Sequence, residues 1–317
     1  MIYFIVNPAS KTGLGIKIWH DVRRYLDEFG TEYRFYLTEE DKNGTAIASQ
    51  LLNKFFYDKL RIVVLGGDGT INEVLQAFSE KDFERVTLGY IPTGSSNDLA
   101  RALGYQDFYN NPEEILKQLI TSNAYRMMDL GLLTYNQSER PGYTKRYFIV
   151  SCGIGFDASV CEEALNSKSK SFLNRFHMGK LSYGAISLKQ LLGARRISCK
   201  LTLDDQKPLQ LNNCYFVTVM NHCYQGGGIK FCPDAIDDDG LLDVCYASEI
   251  SRGRVLYTLP YAFKGNHCDK KGVGISKAKK IRIQYDEPLW VHTDGEVKTK
   301  STDVSVIVLP KRLKFII

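Results

Sequence analysis

The first hundred residues alternate two hydrophobic periodicities, and that alternation restricts what this chain of 317 residues can fold into. Residues 2–6 are a short apolar run; Ile18, Val22, Leu26 and Phe29 then recur at helical spacing, and Gly30 stands where a helix C′ residue belongs. Tyr33, Phe35 and Leu37 alternate as in a strand, Ile47, Leu51 and Phe55 mark a helix, and residues 62–65 form a continuous apolar run of the kind buried on both faces. Ile71, Val74, Leu75 and Phe78 predict a third helix and residues 86–91 a fourth strand. Ser95-Ser96-Asn97-Asp98 opens a fourth helix, which Gly104 ends. Repeated βα units predict a parallel sheet covered by helices, with ligands bound at the carboxyl ends of its strands.

Three strand-to-helix corners then fall on one rim: Asn7-Pro8-Ala9-Ser10-Lys11, Gly66-Gly67-Asp68-Gly69-Thr70, and Pro92-Thr93-Gly94-Ser95-Ser96-Asn97-Asp98. Glycines let the backbone approach a bulky anion, and the first N–H groups of the following helix point at that anion without intrahelical partners. The N–H groups of Gly67, Gly69 and Thr70 are the expected donors, with the Thr70 hydroxyl near a phosphate or metal. A carboxylate beside a polyphosphate is repelled unless a divalent cation lies between them, so Asp68 points to a magnesium nucleotide. No G-x-x-x-x-G-K-[ST] occurs, which excludes a P-loop protein.

After about residue 125 the texture changes. Strand-like runs dominate at 146–151, 197–203, 214–220, 242–246, 281–285 and 304–309, with helices expected only at 172–192 and 255–263. The second half therefore reads as a β-rich domain of antiparallel character, with a soft boundary near 121–128. There is no internal repeat or low-complexity segment.

Composition bounds the function classes. The apolar fraction of 44% and charged fraction of 24% are those of a globular protein with a sizeable core. No apolar run approaches the roughly 18 residues of a membrane span, and residues 1–6 are too soon followed by Asn7-Pro8 to be a signal peptide, so a cytoplasmic location is expected. Eight cysteines without C-x-x-C spacing are expected to be free thiols. The five histidines never pair at metal spacing and no Ser, His and Asp set stands out, which leaves zinc chemistry and triad hydrolysis unsupported. Basic clusters at Lys277, Lys279, Lys280 and Arg282, and at Lys311, Arg312 and Lys314, suit either an anionic membrane surface or solvated strand edges. No nucleic-acid partner is expected.

Three further motifs are open between chemistry and structure. Residues 152–158, Cys-Gly-Ile-Gly-Phe-Asp-Ala, match the dinucleotide pattern G-x-G-x-x-A without its surrounding βαβ unit; a glycine-rich strand end explains them as well, although Asp157 could face a substrate. Residues 233–243 hold five aspartates, either hard oxygen ligands for Mg²⁺ or Ca²⁺ or a turn of solvated acids. Residues 290–296 carry Asp294-Gly295-Glu296, which by itself suits a hairpin.

Taken in order, Asn7-Pro8-x-Ser10, Thr38, Gly66-Gly67-Asp68-Gly69-Thr70-x-Asn72-Glu73, Pro92-x-Gly94-x-x-Asn97-Asp98-Leu99-Ala100-Arg101, Gly153-x-Gly155-x-Asp157, Asp239-Gly240-x-Leu242 and Asp294-Gly295-Glu296 resemble the diacylglycerol kinase catalytic family, and within it the bacterial lipid kinases. The Gly66 turn is shared with NAD kinases and phosphofructokinases; the Asn97 to Arg101 helix start and the late Asp-Gly-Glu narrow the resemblance. It implies an α/β plus β fold: a parallel-sheet α/β nucleotide-binding domain over 1–125, completed by 305–317, and a β-sandwich-like lipid-substrate domain over 126–304, with the active site in the cleft. It implies ATP on Asn7, Pro8, Ser10, Lys11, Thr38, Gly66, Gly67, Asp68, Gly69, Thr70, Asn72, Glu73, Ser95 and Asn97. At Ser95 the family often has threonine, and the hydroxyl is kept.

Asp68, Asp98 and Asp129 resemble the family's active-site aspartates that organise Mg²⁺. A structural Mg²⁺ is implied at the Asp239 carboxylate with carbonyls near Ile236 and Leu241, Asp237 being a substitute. The general base carries over to Asp294, with Glu296 as the competing assignment, and Arg101 and Asp157 face the lipid head group. The implied acceptor is the hydroxyl of a lipid at the membrane surface, diacylglycerol first, then a sphingoid base, ceramide or phosphatidylglycerol. A soluble acceptor such as NAD, or a nucleotide-binding module without catalysis, are the rivals. Peripheral, transient membrane contact is inferred from the substrate, and a homodimer is left open.

Overall fold

The four strands and four helices expected in the first hundred residues are present in a computed structural model, which describes residues 1–105, 112–137, 140–166, 189, 193 and 196–316. The helix expected at 172–192 lies outside the described residues, Lys189 excepted. The chain divides into two units, residues 1–129 with 311–317, and residues 130–310.

In the first unit β1 (Ile2–Val6), β2 (Tyr33–Leu37), β3 (Leu60–Gly66) and β4 (Val86–Pro92) pair in parallel, in the order β4-β3-β1-β2. The end of β14 (Glu296–Ile316) extends that sheet, Lys314 and Phe315 lying parallel to Thr87 and Leu88. α1 (Ser10–Glu28) buries Gly15, Trp19, Val22 and Leu26, steps of three and four residues that form one stripe. That stripe packs on Phe4, whose ring centroid is 5.2 Å from Trp19. Gly30 ends α1 at φ 61, its N–H bonded to the Asp27 carbonyl, as its sequence position predicts. α2 (Gly44–Lys54) is capped by the Asn43 side chain on the Ala46 N–H. α3 (Asp68–Leu75), α4 (Asp82–Arg85), α5 (Asp98–Ala102) and α6 (Pro112–Thr121) complete the unit.

The second unit is antiparallel, as its alternating patterns predict. β7 (Ser151–Gly155), β10 (Phe216–Met220), β11 (Leu242–Ala247) and β12 (Val273–Ala278) run side by side, and β13 (Lys280–Thr293) lies on the other flank of β7. β13 pairs with different neighbours along its length. Its first part pairs with β8 (Ile197–Leu203), itself paired with β9 (Leu209–Cys214), and its last part, from Val291, pairs with β7. A register shift between Gln284 and Leu289 in its pairing with β14 separates those two parts, and Cys152, Ile154, Leu201, Val217, Val244, Ile283 and Val306 share one core. β5 (Tyr125–Gln137) and β6 (Arg140–Phe148) form a hairpin. α7 (Phe156–Asn166) follows β7, and α8 (Arg252–Lys264) falls where 255–263 predict it.

Two expectations are corrected here. α7 is a helix where the strand-like texture predicts none. A single strand over 146–151 is instead two, β6 ending at Phe148 and β7 starting at Ser151. The N–H groups of Ile149 and Val150 leave the ladder because the carboxylate of Asp294 accepts both, at 2.9 and 2.8 Å. All eight cysteines are free, five of them buried.

Candidate active site

Parallel register brings the three corners together. Val6 is the partner of Leu65 and Gly66 the partner of Pro92, so β1, β3 and β4 end side by side. Backbone bonds continue the alignment past the strands, Asn7 N–H to the Leu65 carbonyl at 2.8 Å and Thr93 N–H to the Gly66 carbonyl at 2.7 Å. Side chains then lock corner to corner: the Asn7 amide donates to Thr70 Oγ1 at 3.1 Å, and the Ser10 and Thr93 hydroxyls meet at 2.7 Å. A Cβ on Gly94 would lie 2.6 Å from the Gly67 Cα, so glycines are what let the second and third corners touch.

The Asn7 corner is bent by left-handed backbone at Lys11 and Thr12, with φ 45 and 61, a conformation non-glycine residues seldom adopt. Thr38 joins the same rim through its N–H on the Val6 carbonyl at 2.8 Å. In the Gly66 turn the N–H groups of Gly67 and Gly69 have no acceptor among the described residues, as the opening of a helix requires. The Thr70 N–H does have one, the Gly67 carbonyl at 3.0 Å, which removes it from the expected phosphate donors.

Asp68 plays a part the sequence does not announce. Its carboxylate accepts the N–H of Asp98 at 2.8 Å and that of Leu99 at 3.4 Å, and Tyr90, fully buried on β4, approaches it at 3.3 Å. The acid of one corner thus caps the helix leaving another. Asn97, at φ 49, turns its amide oxygen back to the Gly94 N–H at 2.8 Å. Ser95 is exposed at the tip of this corner and Arg101 is half-buried on α5.

Two of the nucleotide candidates make contacts within the protein. Glu73 binds the Gly44 N–H at 2.9 Å, at the start of α2, and its carbonyl takes the Thr45 hydroxyl at 2.7 Å; Asn72 is fully buried, with Gln76 on its side-chain oxygen at 3.2 Å. Glu73 thus ties α3 to the start of α2, while the Asn72–Gln76 contact stays within the end of α3. Asp129 is fully buried as well, and its Oδ1 accepts the Lys311 N–H at 2.6 Å, which fixes the strand returning to this unit.

In the second unit Asp294 stands in a tight turn at φ 49, its carboxylate bonded to the N–H groups of Ile149, Val150 and Ser151 at 2.8 to 2.9 Å. Glu296, two residues on, is half-buried and lies 3.4 Å from the Lys298 ammonium. Next to this turn is a buried polar chain. His292 Nε2 meets Asp157 Oδ2 at 3.0 Å and the Gln225 amide at 3.2 Å, while the Gly295 N–H reaches His292 Nδ1 at 3.3 Å. With Nδ1 accepting the Gly295 N–H, the proton on Nε2 goes to Asp157, and the Gln225 nitrogen, itself a donor, makes no hydrogen bond to that atom. Gly153 exists for this pair: a Cβ there would lie 1.9 Å from Asp157 Oδ2. The G-x-G-x-x-A match is therefore a close-packed strand end, and Asp157 is buried against His292.

Two magnesium sites implied by the resemblance fare differently. Asp68 and Asp98 bring hard oxygen donors to the glycine-rich corners, a donor set that suits Mg²⁺. The Asp239 loop does not suit it. Asp239 Oδ1 accepts the Leu241 N–H at 3.0 Å, and the Lys277 ammonium sits 3.3 Å from Asp239 Oδ2, 3.4 Å from Asp243 Oδ2 and 3.1 Å from the Asp234 carbonyl. An ammonium already neutralises the Asp239 and Asp243 carboxylates. Asp237 is buried beside His222, at 3.7 Å, and the Ile236 side chain is exposed. Among the described residues no three His, Cys, Asp or Glu side chains converge at metal-ligand spacing. Burial pushes the Asp243 carboxyl up to about 6, with Lys277 opposing it; burial alone would lower Lys277, but the carboxylates of Asp243 and Asp239 outweigh it and hold the ammonium above its ordinary value.

Tyr90 and Gln225 carry no signal in the sequence, whereas Thr93 lies inside the third corner, His292 inside the 290–296 motif and Lys277 inside a basic cluster.

Residues 1–133 match the Diacylglycerol kinase catalytic domain family, and residues 150–317 match the YegS C-terminal NAD kinase beta sandwich-like domain family. A Bacillus subtilis protein named diacylglycerol kinase is 27% identical over 294 residues, covering 92% of this chain and 88% of that one. The crystal structure of a diacylglycerol kinase from Bacillus anthracis superposes with a TM-score of 0.66 at 21% identity, over 99% of this chain and 96% of the other. Yeast NADH kinase, at a TM-score of 0.52 and 11% identity over 99% of this chain and 82% of its own, has a similar fold. With both halves of the chain so matched, and with ATP-dependent transfer to a hydroxyl as the shared chemistry, the protein belongs to the bacterial diacylglycerol kinase-like family of lipid kinases.

Proposed function

We propose that this kinase phosphorylates diacylglycerol, giving phosphatidic acid. The reading is carried by the corner-to-corner lock of Asn7, Gly67, Thr70 and Gly94, which presents unpaired N–H groups for a triphosphate beside the carboxylates of Asp68 and Asp98. Relatives that cover most of this chain and are named diacylglycerol kinase support the acceptor.

In this reading the N–H groups of Gly67 and Gly69 hold phosphate oxygens, and each such charge-assisted bond contributes about 1.5 to 3 kcal/mol. Asp68 and Asp98 would hold Mg²⁺, which when bound neutralises the phosphate charge. The acceptor's primary hydroxyl attacks the γ-phosphorus, the bond from that phosphorus to the bridging oxygen breaks, and ADP leaves. Asp294 orients the hydroxyl and takes its proton late in the step, which a weak base can do because the transition state is loose. Three backbone donors keep its carboxylate from rotating away. Glu296 is the other candidate base. The acyl chains gain about 0.8 kcal/mol per buried CH₂ without selecting a particular lipid.

The test is transfer of labelled phosphate from ATP to diacylglycerol, sphingosine, ceramide, phosphatidylglycerol and NAD. Diacylglycerol is expected to lead, and transfer to NAD alone would end the lipid reading. Asp294→Asn should lower transfer roughly a hundredfold to ten-thousandfold with ATP affinity kept. An active, folded Asp294→Asn enzyme moves the base to Glu296.

A further inference from the structure

α8 turns its largest apolar side chains outward. Of the fourteen large apolar side chains exposed among the described residues, Leu256, Tyr257, Leu259 and Phe263 lie on this helix of 13 residues. Its inward face buries only Thr258 and Ala262. Leu256, Leu259 and Phe263 follow one another by three and four residues, so they form a stripe along the outer face.

Charge decides what covers that stripe. Arg254 and Lys264 stand near its two ends, and residues 252–264 contain no Asp or Glu. A second copy of the chain, docked by a two-fold axis, would set bases against bases with no acid on the helix to pair them. An anionic bilayer supplies the missing charge and accepts the apolar side chains below its headgroups.

We propose that the outer face of α8 docks on anionic lipid membranes. Its use to the enzyme rests on the lipid kinase reading, but the docking is measured without turnover.

The experiment is sedimentation of the full chain with phosphatidylcholine vesicles, with and without phosphatidylserine. The chain should sediment with the anionic vesicles only and be released as salt is raised. The double variant Leu256→Ser with Phe263→Ser should lose the binding, and Lys264→Gln should weaken it roughly fivefold. Equal binding to neutral vesicles, or unchanged binding by the double variant, overturns the proposal. So does a dimer, seen by light scattering, that the double variant dissociates while vesicle binding persists. If the double variant fails to fold, Lys264→Gln, a change at an exposed position of α8, still decides. Vesicle binding without turnover of any lipid would sink the kinase reading and leave this surface standing. Turnover of short-chain, dispersed diacylglycerol without vesicle binding would do the reverse.

Discussion

The carboxylate of Asp68 accepts the backbone N–H of Asp98 at 2.8 Å, so the acid of the glycine-rich turn is also the cap of α5. α5 needs one from outside. Its own N-cap residue, Asn97, is left-handed and makes no side-chain cap, because its amide oxygen holds Gly94 instead. A glycine-rich corner and a helix start are thereby tied through one carboxylate.

That coupling predicts that Asp68→Asn acts twice. The amide keeps one oxygen acceptor, but its NH₂ group must face an N–H of α5, which costs about 1 to 2 kcal/mol through loss of the cap. Chemical denaturation should show that loss without nucleotide present, and phosphoryl transfer should fall further than unfolding alone explains. An Asp68→Asn chain as stable as the parent would remove the capping role.

Gly153→Ala tests the buried pair in the other unit. The added methyl would overlap Asp157 Oδ2, 1.9 Å away, and crowd His292 Nε2 at 2.7 Å. Neither partner is the loose end of a solvated side chain, since both are buried. Overpacking of this kind costs roughly 1 to 3 kcal/mol, here with displacement of the turn that carries Asp294. Thermal unfolding and transfer activity should both drop, while Gly13→Ala, in open space but at φ 87, should cost only backbone strain.

The same contrast explains what the sequence could reveal. Strands β3 and β4 are legible because both faces are buried, which leaves unbroken apolar runs, and the corners follow from where those runs stop. Local signals also placed Gly30 and α8. The break at Ile149 and Val150 was not legible, because its cause, Asp294, is 145 residues from Ile149 in the chain. Glu73 illustrates the remaining limit: a motif shows that an acid stands in the turn, but not that it reaches the Gly44 N–H rather than a ligand. Lys277, grouped by sequence with surface bases, is drawn to Asp239 and Asp243 by contacts between distant segments.

Lys277 as the resident cation of that loop makes a sharp prediction. Chelation by EDTA should leave the unfolding temperature of the nucleotide-free chain unchanged, because the ammonium already bridges Asp239 and Asp243. Lys277→Met leaves the buried Asp243 carboxylate without its partner, a loss of about 2 kcal/mol, below the usual figure for a buried pair because Lys277 is about one-third exposed. One tightly bound Mg²⁺ per unaltered chain by elemental analysis, together with destabilisation by EDTA, would contradict the assignment.

The pair of Asp82 and Arg85 is expected to add to the acid sensitivity of the first unit. Arg85 Nε and Nη2 hold Asp82 Oδ1 at 2.9 and 2.5 Å, and the same guanidinium binds the carbonyls of Leu52 and Phe55 at 3.0 and 2.6 Å, closing the end of α2. Burial by itself would raise the Asp82 carboxyl, but the Ser79 hydroxyl and N–H and the Arg85 charge outweigh it and hold it below 3.8. A carboxyl depressed in the folded state contributes stability that is complete above its unfolded value and is lost as pH falls through the folded one. Unfolding free energy should therefore fall on acidification past 3.8, and the fall should shrink in Arg85→Leu, where burial is no longer outweighed to the same extent. At neutral pH that variant should already be about 3 kcal/mol less stable, since one partner of a buried pair is gone. Urea titrations of the two chains across this range measure both effects, and parallel acid profiles would show that the pair does not add to that sensitivity.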